Sequence, residues 1–288
     1  MAARPRTLPA AIAPVLVGSA AAVQWLGHLP RWGAFFAALV GSIFIQIGTN
    51  LANDYSDAKR GADSADRLGP VRVTSTGLVT PGRVMRATWI AFAVAVACGI
   101  YLATVAGVVI IVIGALSIAA GILYTGGPRP YGYAGLGEVF VFLFFGLVAV
   151  NGSYYVQLEQ LDALPLGLSL SIGFLATAII VVNNVRDIET DRRAGKMTSA
   201  VRMGRTNAVL LYRLLVLGAF AVLPIALAAG EASALPLIGL LALPLAIKPM
   251  RVIGTRTDGP ALNGALAATG ALLGVFSLLV TAGLLISS

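Results

Sequence analysis

Two short segments of this sequence carry asparagine and aspartate side chains at spacings suited to binding a divalent cation. The first runs from Asn50 to Asp63 and reads NLANDYSDAKRGAD, and the second runs from Asn183 to Asp191 and reads NNVRDIETD. Neither segment contains histidine or cysteine. Ligands made only of oxygen favour Mg²⁺, which commonly bridges protein carboxylates to the phosphates of a substrate. The two segments therefore predict a site for a metal-bound phosphate group.

The polar side chains of the first segment share one face if the segment is helical. Asn50, Asp54 and Asp57 follow each other at intervals of four and three residues, with Asn53 beside them. Positions three and four residues apart are neighbours on a helix surface. The first segment therefore predicts a helix end that presents two carboxylates and two amides together.

The second segment has a similar arrangement. Asn183, Asp187 and Asp191 recur every four residues, Asn184 is adjacent, and Glu189 points away and is expected to be solvated. Carboxylates at the C-terminal end of a helix repel one another and face the negative end of the helix dipole. A divalent cation offsets both penalties. We therefore expect the aspartates of both segments to meet at one Mg²⁺ site.

Basic residues that follow the two segments could bind a diphosphate held by this metal. The candidates are Lys59, Arg72, Lys196 and Arg202. Lys and Arg bind phosphate by charge and by hydrogen bonds. The same residues are also typical of topology signals at a membrane surface. The sequence leaves both interpretations open.

The composition indicates which elements position these groups. Of the 288 residues, 58% are hydrophobic and 11% are charged, whereas a soluble domain carries about 25% charged residues. This predicts an all-α membrane protein, with residues 1–288 forming one transmembrane domain around a central cavity. About 20 apolar residues span a membrane. Nine segments qualify, at residues 8–26, 34–52, 84–104, 106–124, 136–157, 166–186, 207–229, 232–249 and 264–286.

The positions of the basic residues predict the orientation. Apart from Arg31, they lie at the N-terminus and in or beside the loops after spans two, four, six and eight, whereas the opposite side carries Glu159, Asp162 and Glu231. The positive-inside rule then places the N-terminus and both acidic segments in the cytoplasm and the C-terminus outside. The net charge of +8 is divided among membrane-flanking loops, which argues against a nucleic-acid partner.

The acidic segments follow spans two and six, which predicts two related four-helix halves. These halves cover about residues 1–130 and 131–260, and a ninth helix follows at 264–286. The prediction depends on the placement of the segments, because similarity outside them is faint.

A metal–diphosphate site at the mouth of an apolar bundle predicts a long lipid diphosphate as substrate. Its head would dock at the cytoplasmic mouth and its tail would lie among the helices. Mg²⁺ would stabilise the leaving diphosphate, and the bundle would shield an allylic carbocation from water until an electron-rich acceptor attacks it. The carboxylates do not indicate which acceptor this is.

The first segment resembles a motif of the UbiA superfamily of intramembrane aromatic prenyltransferases. Asn53, Asp54 and Asp57 match its first motif, NDxxDxxxD. The last position of that motif is Gly61 in this chain, and Asp63 follows two residues later. The resemblance therefore covers three of the four motif positions.

The second segment resembles the other motif of this superfamily, DxxYDxxxD. Asp187 and Asp191 match it, while Asn183 and Arg186 replace its first Asp and its Tyr. These departures resemble the branch that acts on 1,4-dihydroxy-2-naphthoate in menaquinone synthesis. Other segments typical of this branch are RPRTLPAAIAPVLVG, RLGPVRV and YTGGPRPYGYAGLGE, so that the resemblance covers nearly the whole chain.

The resemblance implies a nine-helix protein of the bacterial cell membrane that uses Mg²⁺. It implies transfer of a polyprenyl group from polyprenyl diphosphate to 1,4-dihydroxy-2-naphthoate, with loss of CO₂, giving demethylmenaquinone. By resemblance, the residues assigned to Mg²⁺ and diphosphate are Asn53, Asp54, Asp57, Asp187 and Asp191, with the four aspartates as the catalytic set. The remaining substrate-binding candidates are Asn50, Lys59, Arg72, Asn183, Lys196 and Arg202, and those for the cavity wall and the aromatic acceptor are Tyr154, Gln157 and Asn184.

Three alternatives remain open. A related prenyltransferase would act on 4-hydroxybenzoate or homogentisate, although the pattern at Asn183 and Arg186 argues against it. An alcohol phosphotransferase of phospholipid synthesis would carry a DGxxAR segment, which this sequence lacks. A cation-coupled transporter would place ionisable residues near the membrane midplane, where the predicted spans have almost none.

Overall fold

Helices account for all regular structure in the described part of the chain. The computed structural model describes residues 4, 7–60, 68–69 and 77–288. The helices are α1 (Pro9–Leu26), α2 (Trp32–Lys59), α3 (Pro81–Ala106), α4 (Val109–Leu123), α5 (Gly137–Leu158), α6 (Ala163–Arg186), α7 (Ile188–Arg193), α8 (Ser199–Ala229), α9 (Leu235–Thr255) and α10 (Gly259–Ile286).

The predicted all-α membrane fold is confirmed, with revised boundaries. Within the described ranges, eight helices are long and apolar enough to cross a membrane, and α4 is a shorter apolar helix. Helix α2 continues to Lys59 rather than ending at residue 52, so that the first acidic segment is helical. Helix α8 begins at Ser199 rather than at residue 207 and contains a kink at Gly204, whose φ is 77°.

Two spans depart from regular α-helical geometry. Helix α5 contains a π-helical stretch from Phe142 to Val148. Helix α9 begins as a 3₁₀-helix from Leu235 to Ala242 and continues as an α-helix from Pro244. A π turn holds more residues than an α turn and is frequent at functional sites. The face that α5 presents after residue 148 is therefore shifted relative to a regular helix.

The core lies mainly between α1, α6, α8 and α10, and it is built largely from alanine and branched aliphatic side chains. Small residues let the helix backbones approach closely. At Gly146 in α5, an added Cβ would lie 2.6 Å from the Cα of Gly173 in α6. On the outside, many large apolar side chains are exposed, including Trp89, Ile225 and Leu278. Such a surface suits contact with lipid tails.

The C-terminal ends of α2 and α6 lie at the same end of the bundle, which we call the motif end. This follows from the alternating direction of successive spans, and it brings both acidic segments to one face of the molecule. The opposite end, which we call the far end, carries Arg31 and Glu159, joined in an ion pair of 2.5 Å. The division into two related halves stays a prediction.

Candidate active site

A cavity of about 330 Å³ opens among α1 to α6. On α2 its lining extends from Ala38 to Asn53, a distance of about 22 Å along the helix axis. Its far part is lined by apolar side chains such as Leu102, Ile110 and Val156. The polar residues at the motif end include Arg4, Thr7, Gln46, Thr49, Asn50, Asn53, Tyr124, Tyr131 and Asn183. The cavity therefore joins a polar mouth to an apolar interior.

The first acidic segment lies at this mouth and is buried. Asp54 and Asp57 are 2% and 3% exposed. The Asp57 carboxylate accepts a hydrogen bond of 3.0 Å from the hydroxyl of Tyr133. The side-chain oxygen of Asn53 accepts one of 2.8 Å from the Thr125 hydroxyl. Asn53 and Asp57 therefore both contact the loop after α4, whereas the side-chain amide of Asn50 donates to the Thr7 hydroxyl at 3.4 Å.

The second segment keeps its four-residue register although α6 ends within it. The amide of Asp187 donates to the carbonyl of Asn183 at 3.2 Å, and the amide of Asp191 donates to the carbonyl of Asp187 at 2.8 Å. Both carboxylates are buried, whereas the side chain of Glu189 is 75% exposed and pairs with Arg192. The segment thus turns two aspartates inward and leaves Glu189 in solvent.

Tyr133 and Lys196 connect the two segments. The Lys196 ammonium lies 3.8 Å from a carboxylate oxygen of Asp191 and 5.4 Å from the centre of the Tyr133 ring. The hydroxyl of the same tyrosine donates to Asp57. A chain of contacts therefore runs from Asp57 through Tyr133 and Lys196 to Asp191. The two acidic segments are therefore linked through these two side chains.

Arg186, which the sequence showed only as a departure from a motif, is buried beside Asp187. Its Nε and Nη2 donate to the two Asp187 oxygens at 2.8 and 2.5 Å. Its Nη2 also donates to Asn183 Oδ1 at 2.8 Å, and its Nη1 donates to Asn263 Oδ1 on α10 at 2.7 Å. A bidentate guanidinium–carboxylate pair is strong and fixes geometry. Arg186 therefore holds one aspartate of the site in a defined orientation.

Glu138 is a further buried carboxylate that the sequence analysis did not select. Its Oε1 accepts a hydrogen bond of 2.8 Å from the side-chain amide of Asn184 and another from the hydroxyl of Ser199. Asn184 was predicted to line the cavity, but this bond holds it against α5, and the neighbouring Asn183 lines the cavity instead. No periodic pattern distinguishes Glu138, because it is a single acidic residue at the start of a span.

Tyr124 lies close to this carboxylate and to both acidic segments. Burial raises the pKa of its phenol, and the negative charges of Glu138, Asp57 and Asp191 raise this pKa further. Tyr124 follows the last residue of α4 and lines the cavity. It therefore stays protonated at physiological pH and can donate a hydrogen bond at the mouth.

Four aromatic rings form one wall of the mouth. Tyr131 stacks on Phe140 with ring centres 3.9 Å apart and planes 19° apart, and Phe140 is followed by Phe144 at 6.1 Å and 22°. Tyr124 meets Tyr131 edge to face at 5.5 Å. All four residues line the cavity. The faces of such rings carry negative potential and attract a nearby cation.

The oxygen ligands suit a metal ion whose coordination is completed by oxygen atoms of the substrate. In the ranges that the structure describes, no group of three or more His, Cys, Asp or Glu side chains is arranged to hold a metal ion by itself. Mg²⁺ commonly takes one or two carboxylates together with substrate phosphates and water. The buried carboxylates of Asp54, Asp57 and Asp191 therefore fit a shared Mg²⁺–diphosphate better than a closed metal site.

The predicted basic residues divide into three groups. Lys196 lies in the site, beside Asp191. Lys59 is exposed, and the guanidinium of Arg202 donates to the carbonyl of Met197 at 3.0 Å, supporting the loop before α8. Arg72 lies outside the described residues. Arg60, which was not predicted, contacts the Tyr133 ring at 5.6 Å and donates to the Gly127 carbonyl.

The structure does not place Tyr154 or Gln157 on the cavity wall, where the sequence analysis had put them. Tyr154 is fully buried in the core. Gln157 lies at the far end, where its side-chain oxygen accepts from the Arg31 amide at 3.0 Å and its nitrogen donates to the Arg31 carbonyl at 3.2 Å. Ser153 and Val156 line the cavity instead. The π-helical stretch before them shifts the face of α5 that meets the cavity.

Comparisons with known proteins identify the family and the fold. The model of the UbiA prenyltransferase family matches residues 11–266. The chain is 43% identical to the 1,4-dihydroxy-2-naphthoate octaprenyltransferase of Mycobacterium tuberculosis (strain ATCC 25618 / H37Rv), covering 98% of this chain and 94% of the relative. It is 39% identical to the enzyme of the same name from Escherichia coli (strain K12), covering 94% and 90%. Its fold is similar to that of a UbiA homolog from Archaeoglobus fulgidus bound to GPP and Mg²⁺, with a TM-score of 0.67, 18% identity, and coverage of 98% and 97%.

Proposed function

The chain belongs to the UbiA prenyltransferase family, and from this premise we propose that it transfers a polyprenyl group from polyprenyl diphosphate to 1,4-dihydroxy-2-naphthoate. The observation that carries the proposal is the meeting of two acidic segments at the polar mouth of an apolar cavity, joined through Tyr133 and Lys196. Relatives that bear the name of this activity are about 40% identical over nearly the full length.

The mouth binds the diphosphate and the cavity holds the prenyl tail. Mg²⁺ would be held by Asp54, Asp57 and Asp191, with Asn53 beside them, while Asp187, whose two oxygens are bonded to Arg186, would lie next to the ion. When bound, this ion supplies Lewis-acid stabilisation of the leaving diphosphate. Lys196 adds positive charge next to Asp191. The apolar lining beyond Asn50 accepts the tail and excludes water from the reacting carbon.

The chain's own residues also prepare the acceptor side of the reaction. The aromatic wall of Tyr131, Phe140 and Phe144 offers ring faces to a flat acceptor and to positive charge that develops on the prenyl group. The bond between prenyl carbon and diphosphate oxygen breaks, a ring carbon forms the new bond, and the ring regains aromaticity by losing CO₂. The product of this step is the hydroquinone demethylmenaquinol, released with CO₂ and diphosphate; an oxidant outside the site converts it to demethylmenaquinone.

The orientation in the membrane is part of the proposal. We place the motif end in the cytoplasm of a bacterial cell, with the N-terminus inside and the C-terminus outside. Its support is the concentration of Lys and Arg in the loops at the motif end. Both substrates would then approach the enzyme from the same side of the membrane.

Product identification tests the function directly. The purified protein, reconstituted in lipid nanodiscs with Mg²⁺, is supplied with 1,4-dihydroxy-2-naphthoate or 4-hydroxybenzoate and a series of prenyl diphosphates. We expect a mass spectrum of demethylmenaquinol, or of demethylmenaquinone after oxidation in air, together with Mg²⁺-dependent diphosphate release and no product from 4-hydroxybenzoate. Turnover with 4-hydroxybenzoate alone would refute the proposed acceptor. Cation-coupled transport without diphosphate release would refute the proposal that the protein is an enzyme.

A further inference from the structure

Asn183 and Arg186, the two positions at which the second segment departs from DxxYDxxxD, are bonded to each other. Arg186 Nη2 donates to Asn183 Oδ1 at 2.8 Å. The same guanidinium holds both oxygens of Asp187 and the side-chain oxygen of Asn263. The two departures therefore form one structural unit rather than two independent changes.

This bond fixes the direction of the Asn183 amide. A guanidinium has hydrogen-bond donors and no acceptor, so the Asn183 atom that faces Arg186 must be its oxygen. Asn183 lines the cavity, and its nitrogen donates to no protein group in the part of the chain that the structure describes. The two N–H groups of this amide are therefore left for a molecule in the cavity.

Asn183 lies at the boundary between the carboxylates and the apolar interior. Asp187 follows it by four residues and Ile179, which lines the cavity, precedes it by four. Each step is about 6 Å along a helix. If a diphosphate is bound at the aspartates with its tail in the cavity, the carbon that reacts lies near this boundary. The ring that attacks this carbon must lie there as well.

We propose that Asn183 is a specificity-determining residue that donates a hydrogen bond to an oxygen substituent of the aromatic acceptor, with Arg186 as the residue that positions it. This inference rests on the proposed function and identifies the side chain that recognises the aromatic acceptor. Hydroxyl and carboxylate oxygens accept such a bond. An aspartate at position 183, as in the family motif, would offer only oxygen atoms and would repel an anionic naphthoate.

Arg186 suits this positioning role because it is held on several sides. It is 4% exposed, and its four hydrogen bonds reach the end of α6 and Asn263 on α10. Lysine would keep the charge but cannot reproduce a planar fork with bonds to three side chains. The orientation of Asn183 therefore depends on the guanidinium and not only on its charge.

Steady-state kinetics of the full-length protein in nanodiscs test this role. The KM for 1,4-dihydroxy-2-naphthoate and the KM for polyprenyl diphosphate are measured for Asn183→Asp, Asn183→Leu, Arg186→Lys and Arg186→Met. The control is Asn207→Asp, because Asn207 is exposed on α8 and its amide donates to the Met203 carbonyl. The thermal midpoint of each variant is measured in parallel.

We expect the Asn183 variants to raise the KM for the naphthoate about tenfold, since one hydrogen bond to a charged group is lost. The KM for polyprenyl diphosphate should not change. Asn183→Asp keeps an oxygen for Arg186 and should keep the wild-type thermal midpoint. Arg186→Met should raise the naphthoate KM as well, with Arg186→Lys restoring only part of it, and Asn207→Asp should match the wild type.

The inference is wrong if Asn183→Asp leaves the naphthoate KM unchanged, or if it raises only the KM for polyprenyl diphosphate. If the role of Asn183 is purely structural, Asn183→Asp should lower the thermal midpoint and should change the KM for the naphthoate and the KM for polyprenyl diphosphate to the same extent. If the wild type turns over a different aromatic acceptor, the proposed function fails. The same two-substrate comparison with that acceptor then decides the role of Asn183.

Discussion

The hydroxyl of Tyr133 donates a hydrogen bond to the carboxylate of Asp57, with the two oxygens 3.0 Å apart. Tyr133 lies in the loop between α4 and α5, and its backbone carbonyl accepts from the amide of Met197 at 3.1 Å. One loop residue thus contacts the first acidic segment by its side chain and the loop after the second segment by its backbone. The relative position of the two segments depends on this loop.

Removing the Tyr133 hydroxyl should weaken Mg²⁺ use without unfolding the protein. We expect Tyr133→Phe to raise the Mg²⁺ concentration that gives half-maximal activity by about tenfold, because a hydrogen bond to a charged carboxylate is lost. The measurement is a Mg²⁺ titration of initial rate. Tyr155→Phe is the matched control, since Tyr155 packs with the apolar cluster of α3 and α5. Equal responses of the two variants would contradict the role of Tyr133.

The acidic segments themselves should be essential to turnover. Asp54→Ala, Asp57→Ala, Asp187→Ala and Asp191→Ala should each lower kcat by about 100-fold or more, because even residues that only support metal ligands cost 10–100-fold when removed. Glu189→Ala, in which an exposed carboxylate is lost, should keep wild-type kcat. Folding is checked by size-exclusion chromatography in detergent. Full activity in any two of the aspartate variants would exclude the metal-binding role.

The aromatic wall should affect the chemical step. Phe140→Leu keeps an apolar side chain but removes the ring that stacks on Tyr131. We expect kcat to fall about 30-fold, since a desolvated cation–π contact is worth about 2 kcal/mol. Single-turnover rates measure this step apart from product release. Phe36→Leu is the control, because Phe36 is exposed on α2. A fall in kcat of the same size in both variants would contradict the prediction.

Close packing between α5 and α6 should be sensitive to one methyl group. An added Cβ at Gly146 would lie 2.6 Å from the Gly173 Cα and 2.8 Å from the Ser169 carbonyl oxygen, both backbone atoms. We expect Gly146→Ala to destabilise the protein by about 1–3 kcal/mol, measured as a lower thermal midpoint. At Gly264 in α10 an added Cβ meets nothing within 4 Å. Gly264→Ala should therefore be neutral or stabilising, and a lower midpoint there would count against this account.

Gln157 should matter for stability rather than for substrate binding. Its side chain pairs with both backbone groups of Arg31. Gln157→Leu leaves these groups without their partner, so we expect a loss of about 1–3 kcal/mol and unchanged KM values for both substrates. Thermal unfolding and steady-state kinetics check the two parts. A higher KM for the naphthoate at an unchanged thermal midpoint would contradict this prediction and would indicate that Gln157 binds substrate.

The helical faces at the motif end could be predicted from sequence because their spacing is local. Asn50, Asp54 and Asp57 lie on one helix, and the same arithmetic places Asp187 and Asp191 together. Tyr133 could not be found in this way. It belongs to a 3₁₀ turn followed by Gly135 at a φ of 78°, and such a loop has no periodic pattern that indicates which side chain turns inward.

Arg186 and Tyr154 show two other limits of sequence reasoning. Arg186 was visible as a substitution in a motif, but its three side-chain partners include Asn263, which lies 77 positions away along the chain. Tyr154 lies four regular α-helical turns after Phe140, which lines the cavity. The π-helical stretch shifts the face that α5 presents after it, and Val156 lines the cavity while Tyr154 is buried in the core.

The π-helical stretch also sets how α5 tolerates changes in length. A π turn is a helix that has absorbed one extra residue. Deleting one residue between Phe142 and Val148 should restore an ordinary helix and leave Ser153 and Val156 facing the cavity. Deleting one residue between Ala149 and Val156 would instead rotate the remaining helix by about 100° and carry Gln157 away from Arg31. Within a single span, one stretch can lose a residue without rotating the helix that follows, whereas the next stretch cannot.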